Sequence, residues 1–244
     1  MYRNLSGRRL LITGASSGIG EALALDYAAP GIALGLSGRD SARLGKIAEA
    51  CRARGATVRA DAVDATDRDA MANWLTAFDD TQPVDLLIAN AGVSLSQNDP
   101  ALEAFDTVRR TMAINFGGVL NTIEPLVGRM AARRLGQIGL MSSLAGFFGR
   151  PSSASYSASK AAVRVWGESI RFPLAKDSVG VSVICPGYVT SRMSDGLAGA
   201  KPFLMNAGRA SQIIRRGLAH NRARIAFPLP LTAAVWLANL LPRR

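Results

Sequence analysis

Arg9–Ala29 reads RLLITGASSGIGEALALDYAA, and the order of its parts decides the fold. RLLIT is a short apolar run of strand length, and EALALDYAA carries apolar residues at helical spacing. Between them lie Gly14, Gly18 and Gly20, with Ser16, Ser17 and Ile19 interleaved. Strand, glycine-rich turn and helix in direct succession form the setting of a dinucleotide fingerprint. Glycine lets the backbone come close to a pyrophosphate, and the helix N-terminus offers free N–H groups and a favourable dipole. The spacing is GxxxGxG rather than the commoner GxGxxG.

Working outward, Ile32–Leu36 (IALGL) forms a second apolar run that ends in Ser37-Gly38-Arg39-Asp40. An acid at the end of this strand would hold a ribose 2′-hydroxyl, whereas an arginine suits a 2′-phosphate. Gly38 occupies the strand end and Arg39 follows, which favours NADP(H) and leaves NAD(H) open. Asp40, followed by SARL, reads as the N-cap of the next helix. Further strands are expected at Thr57–Ala60, Val84–Ala89, Gln137–Met141, Val179–Cys185 and Arg224–Phe227, separated by helical segments. Such alternation predicts an α/β fold of Rossmann type, a doubly wound, mostly parallel sheet with helices on both faces. The ligand is then expected across the carboxyl ends of the strands. Residues 101–134 read as one long helix with Asn115-Phe-Gly-Gly in its middle. Mid-helix glycines cost about 1 kcal/mol each relative to alanine, and two readings account for them: close packing on a neighbouring helix, or a kink that frees the polar groups of Asn115.

Ser142–Ala162, SSLAGFFGRPSSASYSASKAA, carries the chemistry. Residues four apart on a helix share a face, so Tyr156 and Lys160 project together. An ammonium one turn away is expected to draw the phenol from its ordinary pKa of about 10 toward neutrality, where proton exchange is efficient. Ser143, at the end of the preceding strand, can donate to a carbonyl oxygen on which charge develops. A tyrosine and a lysine at this spacing also occur as a surface pair without consequence, so the reading depends on the rest of the chain.

The composition sets bounds. The 244 residues suit one large α/β domain, and neither a repeat nor a Ser/Gly linker divides them. Residues 190–228 form a variable segment on the expected substrate side, and 229–244 an apolar tail. Cys51 and Cys185 give no disulfide framework and no metal spacing, which fits a reducing, cytoplasmic setting, and the N-terminus carries no secretory signal. The formal charge of +11 suits nucleic acid, an anionic membrane surface or anionic small ligands. With no nucleic-acid module present, phosphorylated small ligands are the expected partners, against the plainer reading of a soluble basic surface. His220, the single histidine, reads as a helix-end residue.

Taken in order, TGASSGIG, Asp64, ANAG, Asn115, Ser143, YSASK and PGYVT closely resemble the short-chain dehydrogenase/reductase family over about residues 7–190. The resemblance implies a nicotinamide-dependent oxidoreductase that interconverts ketones or aldehydes with alcohols. It implies Tyr156 as general acid/base, Lys160 lowering the phenol's pKa and holding the nicotinamide ribose, Ser143 orienting the carbonyl and Asn115 supporting a proton relay. It also implies that the cofactor lies along Gly14, Ser16, Ser17, Gly18, Ile19 and Gly20, with Arg39 at the 2′-phosphate and Asp64 at the adenine. It places Asn90 on the adenosine ribose side and Thr190 at the nicotinamide amide, with Ala91, Gly92, Pro186, Gly187 and Val189 also among the cofactor-binding residues. Two positions depart from the family pattern: Ala89 stands where an asparagine is usual, and Ser17 where some members carry a basic residue.

By family position the substrate pocket comprises Ser94, Leu95, Leu144, Phe147, Phe148, Tyr188, Met193 and Phe203, a mainly apolar set that suits a hydrophobic ketone or alcohol. A catalytically idle dinucleotide sensor is the alternative, against which the complete tetrad argues. The resemblance further implies a homodimer or homotetramer, paired through residues 101–134 and 156–175. The tail, with Trp236, Leu237, Leu240 and Leu241 before Arg243-Arg244, suits an interface or an intramolecular contact, or docking onto an anionic membrane.

Overall fold

The structure, a computed structural model, describes residues 9–95, 103–197 and 199–238. Seven strands form one fully parallel sheet: β1 (Arg9–Thr13), β2 (Ala33–Ser37), β3 (Thr57–Asp61), β4 (Leu86–Ala89), β5 (Gly136–Met141), β6 (Val179–Pro186) and β7 (Arg224–Phe227). Their order is β3-β2-β1-β4-β5-β6-β7. The chain therefore winds outward in one direction from β1 and then in the other from β4. The cleft between these two strands is the switch point, where open α/β sheets bind ligands.

Strand periodicity sorts the core into two layers. Leu10 and Ile12 of β1, Leu34 and Leu36 of β2, and Leu86 and Ile88 of β4 face one side. There they pack against Leu23 of helix α1 (Gly18–Tyr27), Leu44 of α2 (Ser41–Ala53) and Ile214 of α8 (Ala207–Ala219). Leu11, Leu87 and Leu140 face the other side, against Leu75 of α3 (Arg68–Asp79), Ile123 and Leu126 of α5 (Gly118–Ala132), and Val163 of α6 (Ala154–Lys176). Both faces are covered, which is why these strands read as continuous apolar runs rather than alternating ones.

The long helix expected over 101–134 is broken. Helix α4 (Phe105–Met112) passes through a π-helical turn, Ala113–Gly117, into α5. Such turns mark functional positions inside helices, and this one carries Asn115 inward until it is fully buried. The packing reading holds at Gly118, whereas the irregularity at Gly117 does not free Asn115, whose polar groups are all hydrogen-bonded. Gly117 sits in the wide turn, and Gly118 lies so close to Ala65 that an added Cβ would sit 3.1 Å from that side chain.

The variable segment forms the short helix α7 (Arg192–Asp195) and then α8. The tail forms α9 (Leu229–Ala238), with Thr232 and Val235 buried and Leu229, Trp236 and Leu237 exposed. Leu240, Leu241, Arg243 and Arg244 lie outside the described residues. Among those described, no helix is long and apolar enough to cross a membrane.

Candidate active site

The carboxyl ends of β1, β2, β4, β5 and β6 open into one cavity of about 990 Å³. At its dinucleotide end, Gly14 and Gly18 adopt left-handed φ of 66° and 59°, a region favourable to glycine. A Cβ on Gly14 would stand 2.8 Å from Ala91 Cα, and one on Gly20 would stand 2.3 Å from the Gly14 carbonyl oxygen. Gly20 therefore sits beneath the turn and supports it, while Gly14, Ser16, Ser17, Gly18 and Ile19 line the cavity. Ser17 is the N-cap of α1, but its side chain makes no capping hydrogen bond, so the first-turn N–H groups stay open to a ligand.

Asn90, Ala91 and Gly92 also line this wall, although the amide of Asn90 is engaged elsewhere. Its Nδ2 donates to the carbonyls of Thr13 (2.9 Å) and Gly14 (3.1 Å). The backbone N–H groups of Asn90 and Ala91 donate to Thr13 Oγ1. Its side chain thus ties the end of β4 to the glycine turn. Ala89, the departure beside it, is buried in the core.

At the adenosine end Arg39 is exposed on the cavity wall and makes no ion pair or side-chain hydrogen bond among the described residues. Asp40 is the N-cap as expected: it accepts from the backbone N–H of Arg43 (2.9 Å) and pairs with that residue's guanidinium (2.9 Å). Gly38 cannot give way to an acid without adjustment, since a Cβ there would meet Ser16 Oγ at 3.0 Å. Asp64 accepts from the backbone N–H and the hydroxyl of Thr66 (both 2.9 Å). That backbone bond, more than the nearby Arg39 charge, holds its carboxyl below the usual range. Arg43 was not anticipated. Its only sequence signal is a basic residue in the first turn after the Asp40 cap.

The catalytic candidates converge at the other end. Ser143, Tyr156 and Lys160 all line the cavity. The Ser143 hydroxyl accepts from the N–H of Ala145 (3.1 Å) and donates to the Pro186 carbonyl (3.3 Å), beside the Tyr156 phenol, whose charged form it favours. Lys160 is buried beneath them, its Nζ donating to the Met141 carbonyl (2.8 Å) and lying 5.9 Å from the Tyr156 ring centre. Gly92 leaves room for this arrangement: a Cβ there would come within 3.1 Å of Asn115 Oδ1 and 3.2 Å of Lys160 Nζ.

The electrostatics correct one expectation. The phenol of Tyr156, half-exposed by surface yet set deep in the fold, is pushed up rather than down, because burial outweighs the Ser143 hydrogen bond and the Arg150 charge. Burial lowers Lys160 to about 8. The ammonium is held by the Met141 carbonyl, and burial of the phenol outweighs the groups that favour its charged form.

Asn115 does not reach the cavity wall. Its Oδ1 accepts from Val93 N–H (2.8 Å), and its Nδ2 donates to the Val93 carbonyl (2.9 Å) and to Ser159 Oγ (2.9 Å). Ser159 in turn donates to the Tyr156 carbonyl (2.8 Å). The π-turn is thus fastened both to the loop after β4 and to the helix bearing Tyr156.

Ser94, Leu144, Phe148, Tyr188 and Met193 line the substrate side, as do Pro186, Gly187 and Val189. Leu95 does not. Phe147 and Phe203 are corrections. The ring of Phe147 turns outward between the guanidinium groups of Arg164 (4.5 Å) and Arg224 (5.2 Å). Phe203 sits at φ 57° and is 57% exposed. Thr190 also lies off the wall, where its hydroxyl accepts from Ala207 N–H (3.2 Å) and donates to the Met205 carbonyl (3.2 Å), bracing the start of α8. Residues not anticipated on this side are Arg150, Ser152 and Ser153, together with Leu231 and Val235 of α9. Folding alone brings the last two here from the far end of the chain. Among the described residues, no cluster of metal-ligating side chains occurs.

Residues 8–201 match the short chain dehydrogenase family model. An uncharacterized oxidoreductase of Myxococcus xanthus is 35% identical over 239 residues, which cover 98% of this chain and 94% of that protein. Two solved structures share the fold. A short-chain dehydrogenase from Sphingobium yanoikuyae in complex with NADPH gives a TM-score of 0.83 at 24% identity, covering 97% of this chain and 96% of that one. A short-chain dehydrogenase/reductase from Burkholderia phymatum in complex with NAD gives 0.87 at 24%, covering 96% and 94%. With the family match spanning the glycine turn, the buried Asn115 and the Ser143–Tyr156–Lys160 cluster, the chain belongs to the short-chain dehydrogenase/reductase family and is an oxidoreductase.

Proposed function

We propose that this chain is an NADP(H)-dependent oxidoreductase that interconverts a carbonyl compound and an alcohol on a largely apolar substrate. One observation carries the reading: a single cavity joins a glycine turn and a free arginine at one end to Ser143, Tyr156 and Lys160 at the other. The chain's own groups fit a nicotinamide dinucleotide. Side-chain-free Gly14 and Gly18 and an uncapped helix start suit a pyrophosphate, and unpaired Arg39 beside Gly38 suits a 2′-phosphate. When bound, such a cofactor supplies or accepts the hydride.

The remaining work falls to the protein. Ser143 holds the substrate oxygen next to the phenol, and Tyr156 gives its proton to that oxygen in reduction or takes it back in oxidation. Because burial keeps the phenol protonated, the acid form needed for reduction persists at neutral pH. Lys160 braces the floor through Met141 and presents its ammonium toward the ribose side. The likenesses divide on the cofactor, since one neighbour holds NADPH and the other NAD. A screen of ketones and alcohols with both nicotinamides, followed by absorbance, tests the reading. Tight cofactor binding with no turnover across the screen would favour a sensor.

Arg39 decides between the cofactors under this reading. Charge-assisted hydrogen bonds contribute about 1.5–3 kcal/mol, so Arg39→Ala is expected to weaken NADPH roughly ten- to a hundredfold and NADH far less. Equal losses for both in fluorescence titrations would contradict the assignment. Arg43, already paired with Asp40, is expected to matter less.

Phe105 of α4 and Val165 and Phe172 of α6 are exposed at 69%, 53% and 78%, on the segments through which a homodimer is expected to form. Phe172→Asp should then lower the mass seen by light scattering. An unchanged mass would remove α6 from the interface.

A further inference from the structure

The substrate side of the cavity holds a cation that has no ion-pair partner among the described residues. Arg150 lines the wall with Ser152 and Ser153, just ahead of Tyr156 in the chain. Its guanidinium rests over the Tyr188 ring at 5.8 Å and makes no hydrogen bond or ion pair among the described residues. That contact uses none of its N–H donors, which stay free to bind an anion. The two carboxylates on the cavity wall, Asp40 and Asp64, stand at the adenosine end, engaged by Arg43 and Thr66. A half-buried charge without a partner is costly, and an anionic group in the cavity would satisfy it.

We propose that Arg150 binds a carboxylate carried by the substrate at a distance from its reacting carbonyl, so that the physiological substrate is an apolar oxo acid or hydroxy acid. This rests on the carbonyl-oxidoreductase reading and refines its substrate class. Leu144, Phe148 and Met193 cover the apolar middle, and Arg150 fixes the far end. A carboxylate meets a guanidinium edge through two parallel hydrogen bonds, which orients the chain as well as holding it.

The test compares benzoylformate, benzoylpropionate and benzoylbutyrate with their methyl esters, in the wild type and in Arg150→Gln and Arg150→Lys. For the acid of best length, kcat/KM in the wild type is expected to exceed that of its ester about ten- to a hundredfold. That acid-to-ester ratio should collapse toward one in Arg150→Gln and recover in part in Arg150→Lys. Because Arg150 also acts electrically on Tyr156, a loss shared by acid and ester is read separately from the ratio. Equal use of acid and ester by the wild type, or a ratio unmoved in Arg150→Gln, overturns the proposal. Calorimetric titration with phenylbutyrate, which carries no ketone, gives a readout independent of turnover. Binding lost in Arg150→Gln supports the anion subsite even if no ketone is reduced, and absence of binding to the wild type counts against it.

Discussion

Replacing Tyr156 with phenylalanine is expected to lower turnover by about 10²- to 10⁴-fold, the range that a positioned general acid/base contributes, while NADPH binding changes little. The substitution removes the phenol's hydroxyl, and with it the transferable proton, and leaves the ring. Both kcat and kcat/KM should fall together, the signature of an interaction made in the transition state. The raised phenol pKa gives the pH dependence a sign. In alcohol oxidation Tyr156 must act as a base, so the rate climbs on the alkaline side. Ser143→Ala removes a group that favours the phenolate and should move that limb to still higher pH. Retention of more than a few per cent of activity in Tyr156→Phe would remove Tyr156 from its role.

The second large effect concerns Lys160, where function and stability oppose each other. Burial lowers its pKa from 10.5 to about 8, equivalent to roughly 3 kcal/mol spent on keeping the ammonium charged in the fold. Lys160→Met removes that cost and leaves the Met141 carbonyl without its donor, a loss of about 1–3 kcal/mol. Near neutrality the variant should therefore match or exceed wild-type stability by on the order of 1 kcal/mol, while losing turnover and cofactor affinity together. The unfolded lysine titrates at its ordinary value, so between pH 8 and 10.5 the unfolded wild type holds more protons than the native protein. Wild-type stability then rises with pH across that window. Urea titrations should show the variant's relative advantage greatest below pH 8 and lost, then reversed, as pH rises toward 10.5. A difference independent of pH would mean that Lys160 is not a strained cation in the fold. A loss of turnover with cofactor affinity intact would contradict its place on the ribose side.

Much of the fold was legible because both faces of the sheet are buried. Arg9–Thr13 and Arg224–Phe227 begin and end where their apolar runs do, and Asp40 caps α2 as its side chain requires. The parallel doubly wound order followed from strands alternating with helices. The convergence of Ser143, Tyr156 and Lys160 was legible because the serine closes a strand and the pair shares one helix face. The π-turn was half legible: Asn115-Phe-Gly-Gly announced an irregularity, but only packing against Ala65, Val93 and Ser159 selects the wider turn. Side-chain direction in the Leu144–Phe147 turn was not legible, because cation–π partners distant in the chain, Arg164 and Arg224, draw the Phe147 ring outward. The direction of the Tyr156 shift was missed for a related reason. Spacing along a helix reports that two groups are near, whereas the sign depends on how deeply both are buried and on what holds the ammonium. Arg150 was overlooked because its place on the cavity wall, away from Asp40 and Asp64, is a property of the folded cavity.

The central claim is that hydride moves within this cavity between a nicotinamide and a carbonyl carbon while Tyr156 handles the proton. The most direct measurement is a single turnover of the wild type with NADPH deuterated at the transferable C4 position and a ketone taken from the screen, the product being analysed by mass spectrometry. The account predicts an alcohol carrying deuterium on its carbinol carbon, formed by the wild type and suppressed in Tyr156→Phe. Alcohol formed without deuterium, or deuterated alcohol formed at an undiminished rate by Tyr156→Phe, would contradict it.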